Sequence, residues 1–335
     1  MDYFVDIIKK ALTARIFKPI VVCLVLLYLA LLPMWGDRNT MNVLLLIFLY
    51  MALAQMWNLL GGYAGLISLG QQIFVGLGGY SLAIITRVYE MHFLVGFLVA
   101  GVVSVLFALV ISVPIFKMKG VYFTIGTWII AEGLMLLFRN WGYVNYSIGH
   151  FITVTRTWQA PQQQMYYLAL AVAVITFLVV YILLRSKLGL ALMAMRDNES
   201  AAEVRGVSLY GTKLRCFLIS SFMTGVIGAA IYLNQGQILP DAAFSIDWTI
   251  SMVFIVIIGG IGTLEAPIIG AAIYVLLRQR LFAFPGYSMA ILGAIAVILI
   301  LAAPRGVMGT ISDKTGFEVF STRRRVEDMT RRLGG

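Results

Sequence analysis

Charged residues vanish from this chain for about 20 positions at a time, the length a helix needs to cross the hydrocarbon core of a bilayer, and then return in clusters. Converting each charge-free run into a helix gives single spans at Pro19–Gly36, Met91–Phe116, Thr157–Leu184, Cys216–Pro240 and Leu281–Pro304. Asn39–Thr86 runs for 48 residues without a charge and holds two more, and Gly120–Phe138 makes an eighth, interrupted only by Glu132. Trp248–Leu277 is harder to assign. It is 30 residues long, is broken by Glu265 and Pro267, and is too short for two full spans, so it reads as one span or as two short helices meeting at a turn. The pattern predicts an all-α polytopic membrane protein of about ten transmembrane helices, eight plus this broken or paired short-helix segment.

Composition strengthens that reading. The chain is 61% hydrophobic and 12% charged, whereas a soluble chain carries about twice that charged fraction because it needs polar surface to face water. An apolar run behind a basic N-terminal segment has the outline of a signal peptide. Spans continue throughout the chain, however, and no small-residue cleavage site follows Leu32, so the run is expected to be an uncleaved first span.

The net charge of +10 is first a statement about orientation. Lys9, Lys10, Arg15 and Lys18 precede the first span, and Arg305, Lys314, Arg323, Arg324, Arg325, Arg331 and Arg332 follow the last. Both termini are therefore expected to be cytoplasmic, which requires an even number of crossings and makes Trp248–Leu277 cross twice or not at all. Threading from that start leaves six basic residues outside, Arg38, Arg87, Arg139, Arg156, Arg278 and Arg280, and puts the other nineteen inside. The organisation is then a cytoplasmic segment at 1–18, a transmembrane domain at 19–304 with a cytoplasmic loop at 185–215, and a basic cytoplasmic tail at 305–335. That tail reads as a solvated, topology-fixing segment beside anionic headgroups rather than a nucleic-acid site.

Two stretches are dense in glycine at membrane depth. Residues 58–80 read NLLGGYAGLISLGQQIFVGLGGY, and residues 259–274 read GGIGTLEAPIIGAAIY. Small residues at GxxxG spacing, as at Gly61 and Gly65, let helices pack closely. Glycine at this density also suits a broken helix, whose freed backbone survives at that depth only inside protein or beside water. On that reading Asn58, Gly61, Gly62, Gly65, Ser68, Gln71 and Gln72 line a polar pathway together with Gly259, Gly260 and Gly262 of the second break. Both stretches share a Gly-Gly start and a later Gly-x-x-x-Tyr (Gly76 to Tyr80, Gly270 to Tyr274), which suggests a repeat, and paired broken helices point to a translocation site in secondary transporters. Glu265, beside Pro267, is expected to favour the N-terminal dipole of the short helix that follows. Glu132 is the one acid in mid-span. By default such a group faces the bundle interior and is functional, and its isolation argues against a proton relay.

The longest internal cytoplasmic segment runs RSKLGLALMAMRDNESAAEVRGVSLYGTKLR. Asp197 or Asn198 caps a short helix there, Glu199 and Glu203 sit early in it, Ala201 and Ala202 favour it, and Gly206 stops it. A capped two-turn helix held outside the membrane suits docking against another protein. GVSLYGTK at 206–213 has the glycine spacing of a phosphate-binding loop, but Thr212 precedes Lys213, the reverse of the required order, so ATP would have to be bound by a partner. Cys23 and Cys216 lie in or at the edge of apolar segments and imply no disulfide framework or thiolate metal site. His92 and His150 offer little for a metal site or a proton relay, and no cofactor is expected. An ion-coupled secondary transporter is the alternative from another class: it would share the spans, breaks and charge bias but would not need the capped loop.

Three motifs carry a resemblance: NLLGGYAGLISLGQ at Asn58–Gln71, RDNESAAEVRG at Arg196–Gly206 and GGIGTLEAP at Gly259–Pro267. In content, order and separation they resemble the permease subunits of branched-chain amino acid ABC importers, a family shared with ribose-type and urea-type uptake systems. The likeness covers about residues 18–309, with Ala266 standing where the family commonly has glycine. The middle motif resembles the family's coupling loop, which implies contacts with an ATPase subunit for Glu199, Ala201, Ala202, Glu203 and Gly206, with Arg196, Asp197 and Asn198 leading into them. The resemblance further implies a second homologous permease, two cytoplasmic ABC ATPases, an extracytoplasmic substrate-binding protein docking on the external loops Asn140–Gln164 and Asn234–Asp247, and residence in a bacterial or archaeal plasma membrane. The implied substrate is a branched-chain or other apolar amino acid, with urea or short amides the alternative.

Overall fold

The computed structural model describes residues 20–152 and 162–281, with residues 291, 293–295, 297 and 306–309. The N-terminal segment 1–18, Arg156, most of the last expected span and the tail beyond residue 309 lie outside the described residues. The chain is built almost wholly of helices: α1 (Ile20–Met34), α2 (Arg38–Asn58), α3 (Gln72–Arg87), α4 (Phe93–Ile115), α5 (Val121–Asn140), α6 (Gln162–Arg185), α7 (Lys187–Asp197), α8 (Glu199–Val204), α9 (Leu209–Gln235), α10 (Pro240–Ala243), α11 (Asp247–Gly259) and α12 (Ala266–Leu281). Among the described residues six helical segments are long and apolar enough to cross a membrane: Arg38–Tyr63, α4, α5, α6, α9 and Pro240–Gly259. The helices at α1, α3 and α12 match expected spans in place but are shorter.

The helices sort into a centre and a rim. About the most apolar stretch, 78% of α9 and 72% of α2 is buried, against 28% of α5, 33% of α4 and 39% of α6. On α4 the outward stripe Leu94, Leu98, Val102, Leu106 and Val110 repeats every fourth residue, as a lipid-facing side must. Burial of apolar side chains cannot drive helices together when the solvent is itself apolar, so close approach through small residues has to do it. At the core of the bundle it does. A Cβ added to Gly78 of α3 would lie 2.0 Å from the carbonyl oxygen of Gly225 on α9, one at Gly228 would lie 2.4 Å from that of Val75, and one at Gly225 would lie 2.2 Å from Ser104 Oγ on α4. The backbones of α3, α4 and α9 are in contact along this seam.

One expectation changes, one pair of alternatives is decided, and one basic residue gains a partner. First, α9 starts at Leu209, behind Ser208, not at Cys216. Lys213 and Arg215 therefore belong to the helix, because a cluster of charges marks where a helix leaves the apolar layer rather than where it ends. It stops at Gly236, which is left-handed at φ 74° and has its N–H bonded to Tyr232. Second, the Trp248–Leu277 segment is two short helices, α11 and α12, packed on each other and joined by a turn at 260–265. Gly306 backs onto that turn, an added Cβ lying 2.4 Å from Gly260 Cα. Third, Arg278, one of the basic residues expected outside, is engaged by aromatic side chains of its own chain. Its guanidinium carbon lies 5.5 Å over the Tyr50 ring and it hydrogen-bonds the Tyr50 hydroxyl, within a cluster in which Tyr50 stacks on Trp248 and meets Tyr274 at a tilt.

Candidate functional site

The α-helix of α2 does not end at Asn58 but widens into a single π turn, Leu59–Tyr63, before the chain breaks at 64–71. π turns are rare and gather at functional sites. Here Gly61, Gly62 and then Gly65, left-handed at φ 72°, supply the conformational freedom. The break folds back on its own helix: Trp57 Nε1 donates to the carbonyl of Ser68 at 2.9 Å, and Ser68 Oγ accepts from Gly70 N at 3.1 Å. It is also tied to α5, where Thr124 donates to the Ile67 carbonyl at 2.7 Å and Thr127 accepts from Leu69 N at 3.2 Å.

The second break meets the first. Asn58, fully buried, donates through Nδ2 to the Thr263 carbonyl at 2.8 Å and accepts from Gly262 N at 2.9 Å. One amide so satisfies a donor and an acceptor that the turn between α11 and α12 would otherwise leave unpaired. Gly62 and Gly262 are in such close approach that a Cβ on Gly62 would lie 2.8 Å from Gly262 N. Gly259 faces the Ala266 carbonyl at the mouth of the same turn, 2.0 Å from an added Cβ, and Gly260 and Gly262 are both at positive φ. Ala266 itself is helical and buried and needs no glycine. Gln71 and Gln72 are buried one helix inward. Gln71 Oε1 accepts from Thr224 at 3.3 Å and its Nε2 lies 3.5 Å from Ser220 on α9, while Gln72 accepts from Thr249 on α11. Asn58, Gln71 and Gln72 thus bond helix to helix within one chain.

Glu132 stands elsewhere. Sequence reasoning turned it toward the bundle interior, but in the structure it is half-buried on the outer side of α5, accepting a 3.0 Å bond from Trp128 Nε1 one turn before it, beside exposed Ile129, Leu136 and Leu137. The general rule that an intramembrane acid faces protein does not say whose protein it faces.

The loop between α6 and α9 is more ordered than its sequence suggested. α7, an eleven-residue helix capped by Ser186, precedes the expected one. Its Gly189 and its apolar run gave no amphipathic signal. The expected short helix is α8, and Asn198 rather than Asp197 caps it, its Oδ1 accepting from Ala201 N at 3.0 Å. Val207 N bonds the Ala202 carbonyl at 3.0 Å and Gly206 N that of Glu203 at 2.9 Å, with Gly206 at φ 85°, a helix stop that only glycine adopts freely. Ala202 is buried, while Ala201, Glu203 and Gly206 are exposed. Glu199 holds Lys213 of α9 at 2.7 Å while its side chain stays 41% exposed. Val204, which sequence reasoning passed over, is 90% exposed at the tip. A lone large apolar side chain presented on a capped helix is the signal that could have found it.

At the opposite end of the bundle the loops after α5 and α9 are joined by a two-residue antiparallel ribbon, β1 (His150–Phe151) with β2 (Gln237–Ile238). Around it Trp141, Tyr143, Tyr146, Ile148 and Phe151 are exposed, and Arg139 lies 3.8 Å from Asp241. Arg87 donates to His150 Nδ1 at 2.7 Å. A guanidinium has no acceptor, so Nδ1 is bare and Nε2 carries the proton toward the Tyr143 carbonyl at 3.3 Å. Burial holds the His150 pKa below its ordinary value, with the Arg87 cation acting in the same sense and the bond to Tyr143 against it. A base whose folded pKa is depressed stabilises the fold above its unfolded pKa and loses that contribution as pH falls through the folded one. Lowering pH from about 8 to about 5 should reduce the thermal midpoint of the purified protein, and His150→Gln should remove that slope; an unchanged slope in the variant would refute the assignment.

Residues 39–303 match the family described as branched-chain amino acid transport system, permease component. The chain is 27% identical over 304 residues to the high-affinity branched-chain amino acid transport system permease protein LivM of Salmonella typhimurium, covering 82% of this chain and 71% of that protein. It is 26% identical over 304 residues to the protein of the same name from Escherichia coli, with the same coverage. A probable branched-chain amino acid transport permease protein LivM of Methanocaldococcus jannaschii is 26% identical over 115 residues, 34% of this chain and 33% of that one. No solved structure matches the chain significantly.

Proposed function

We propose, from the premise that this chain belongs to the family of permease components of branched-chain amino acid transport systems, that it forms half of an ATP-driven import pathway for branched-chain amino acids. The other half is a second, homologous permease. Two ATPases dock on the α7–α8 side, and a binding protein delivers substrate to the ribbon side. The chain sits in the plasma membrane of a bacterium or archaeon with both termini in the cytoplasm and ten crossings.

The observation that carries this reading is the meeting of both glycine-rich breaks with the α7–α8 loop at one end of the bundle: Asn58 joins the breaks, and Arg196 of α7 donates to the Gly62 carbonyl at 2.9 Å. Broken helices placed against a docking loop are what an importer driven from outside its own chain needs. The outward acid supports a path between two permeases rather than through one, since Glu132 on α5 is covered only when another protein lies against it. Exposed aromatic residues around the ribbon suit the docking of a soluble partner. Ten crossings are supported by the alternation of elements between the two ends, with the breaks and α7–α8 at one end and Arg87, β1 and β2 at the other.

Proteoliposomes holding the permease pair and the ATPases test the reading. Leucine uptake should require ATP on the α7–α8 side and liganded binding protein on the ribbon side. Uptake by this chain alone, driven by a proton or sodium gradient without ATP, would overturn it. Uptake of urea in place of leucine would replace the substrate.

A further inference from the structure

Three helix C-termini converge where the two breaks meet. α2 ends there through its π turn at Tyr63, α11 at Gly259 and α7 at Asp197. Each presents the negative end of its dipole and carbonyls with no helical partner. Two of the ends, α2 and α11, are bolted together by Asn58, so their partial charges cannot separate. Arg196 brings a cation to that point. Its Nη1 donates to the Gly62 carbonyl at 2.9 Å, and an added Cβ on Gly262 would lie 3.1 Å from the same nitrogen. Its own position in the last turn of α7 serves the third end. Nε and Nη2 are held on the other edge by Asp197 Oδ1 at 3.4 Å and 3.3 Å, which fixes the plane of the fork. Gly65, left-handed, makes room: its added Cβ would lie 3.3 Å from Arg196 Cγ.

We propose that Arg196 is a transmission residue, which carries displacement of the α7–α8 loop into the junction of the two breaks rather than binding an ATPase itself. The inference rests on the ATP-driven reading above. Arg196 lies two residues before the Asn198 cap and moves with α8, while its guanidinium is anchored to Gly62 and, through the Asn58 clamp, to the turn between α11 and α12. Any movement of the docking helix therefore stretches or releases one charge-assisted bond at the membrane break. Lysine would keep the charge at the helix ends but not the planar fork that Asp197 orients.

The test uses the assembled transporter in proteoliposomes and reads leucine transported per ATP hydrolysed. Wild type that transports leucine with ATP and binding protein establishes the underlying reading independently. Arg196→Ala should then lower the transport-to-hydrolysis ratio by about ten-fold, within the range that substitutions along a coupling network produce, while the ATPases still co-purify. Arg196→Lys should recover part of the ratio. Asn58→Ala, on the far side of the junction and out of reach of the loop, should uncouple in the same way, and the double variant should be no worse than the more severe single one. Loss of ATPase co-purification, a proportionate fall of transport and hydrolysis, an unchanged ratio, or additive effects of the two substitutions would each overturn the proposal. If the alanine variant fails to accumulate, the ratio is read on Arg196→Lys, where a wild-type value overturns it.

Discussion

Val204→Asp should strip the ATPases from the complex while the permease itself still accumulates in the membrane. Val204 is 90% exposed, sits in the last turn of a helix closed by the Gly206 stop, and touches little in its own chain, so a polar substitution costs the fold almost nothing. A capped helix holds it rigidly, so a partner that covers α8 would have to desolvate whatever side chain stands there. Putting an unpaired carboxylate into that contact should cost about 2–3 kcal/mol, or about 30- to 150-fold in affinity. ATPase retained on the tagged permease after solubilisation measures it, and wild-type retention would remove Val204 from the interface. Glu199→Lys serves as the contrast. Because Glu199 holds Lys213, its effect passes through the seating of α8 on α9, and Glu199→Lys combined with Lys213→Glu should restore retention that the single change loses.

A second large effect is expected in the glycine seam. Gly78→Val should prevent accumulation of folded protein, because its Cβ would lie 2.0 Å from the Gly225 carbonyl oxygen and backbone cannot move aside as a side-chain tip does. Overpacking of this kind costs about 1–3 kcal/mol where neighbours yield and more where they do not. Here α9 is pinned on its other side, since Gly225 itself abuts Ser104 and the Ala100 carbonyl of α4. Gly133→Val on the outer side of α5 is the control: nothing lies within 4 Å of its added Cβ, and the protein should accumulate as wild type does. Equal accumulation of the two variants would mean that the seam is not tight.

Much of this was legible in the sequence because the signals are local. Charge-free runs located the six described helices long enough to cross a membrane, glycine density and Pro267 located the breaks, and the Asn198 cap with the Gly206 stop located α8. What was missed depends on distance or on a partner. No local pattern announces that Asn58 answers Gly262 and Thr263, about 204 residues away, or that Gln71 and Gln72 answer Ser220, Thr224 and Thr249. A polar residue at membrane depth reads equally as pathway lining and as a clamp between helices, and sequence cannot separate the two uses. Hydropathy likewise shows that Glu132 is out of place in lipid without distinguishing the inside of a bundle from a face that another protein covers. α7 was hidden because its apolar run carries Gly189 and lies beside charges that were read as loop.

The Asn58 clamp has a further consequence for how the protein is made. The amide is synthesised roughly 10–40 s before its two partners, at the usual rate of about 5–20 residues per second. During that interval α2 already carries a buried-to-be amide with nothing of its own chain to bond, in a membrane where an unpaired polar group costs several kcal/mol. The first helices therefore reach their final packing only once those partners arrive. Chains cut short before Gly262 should leave this clamp open and be degraded faster than the full-length chain.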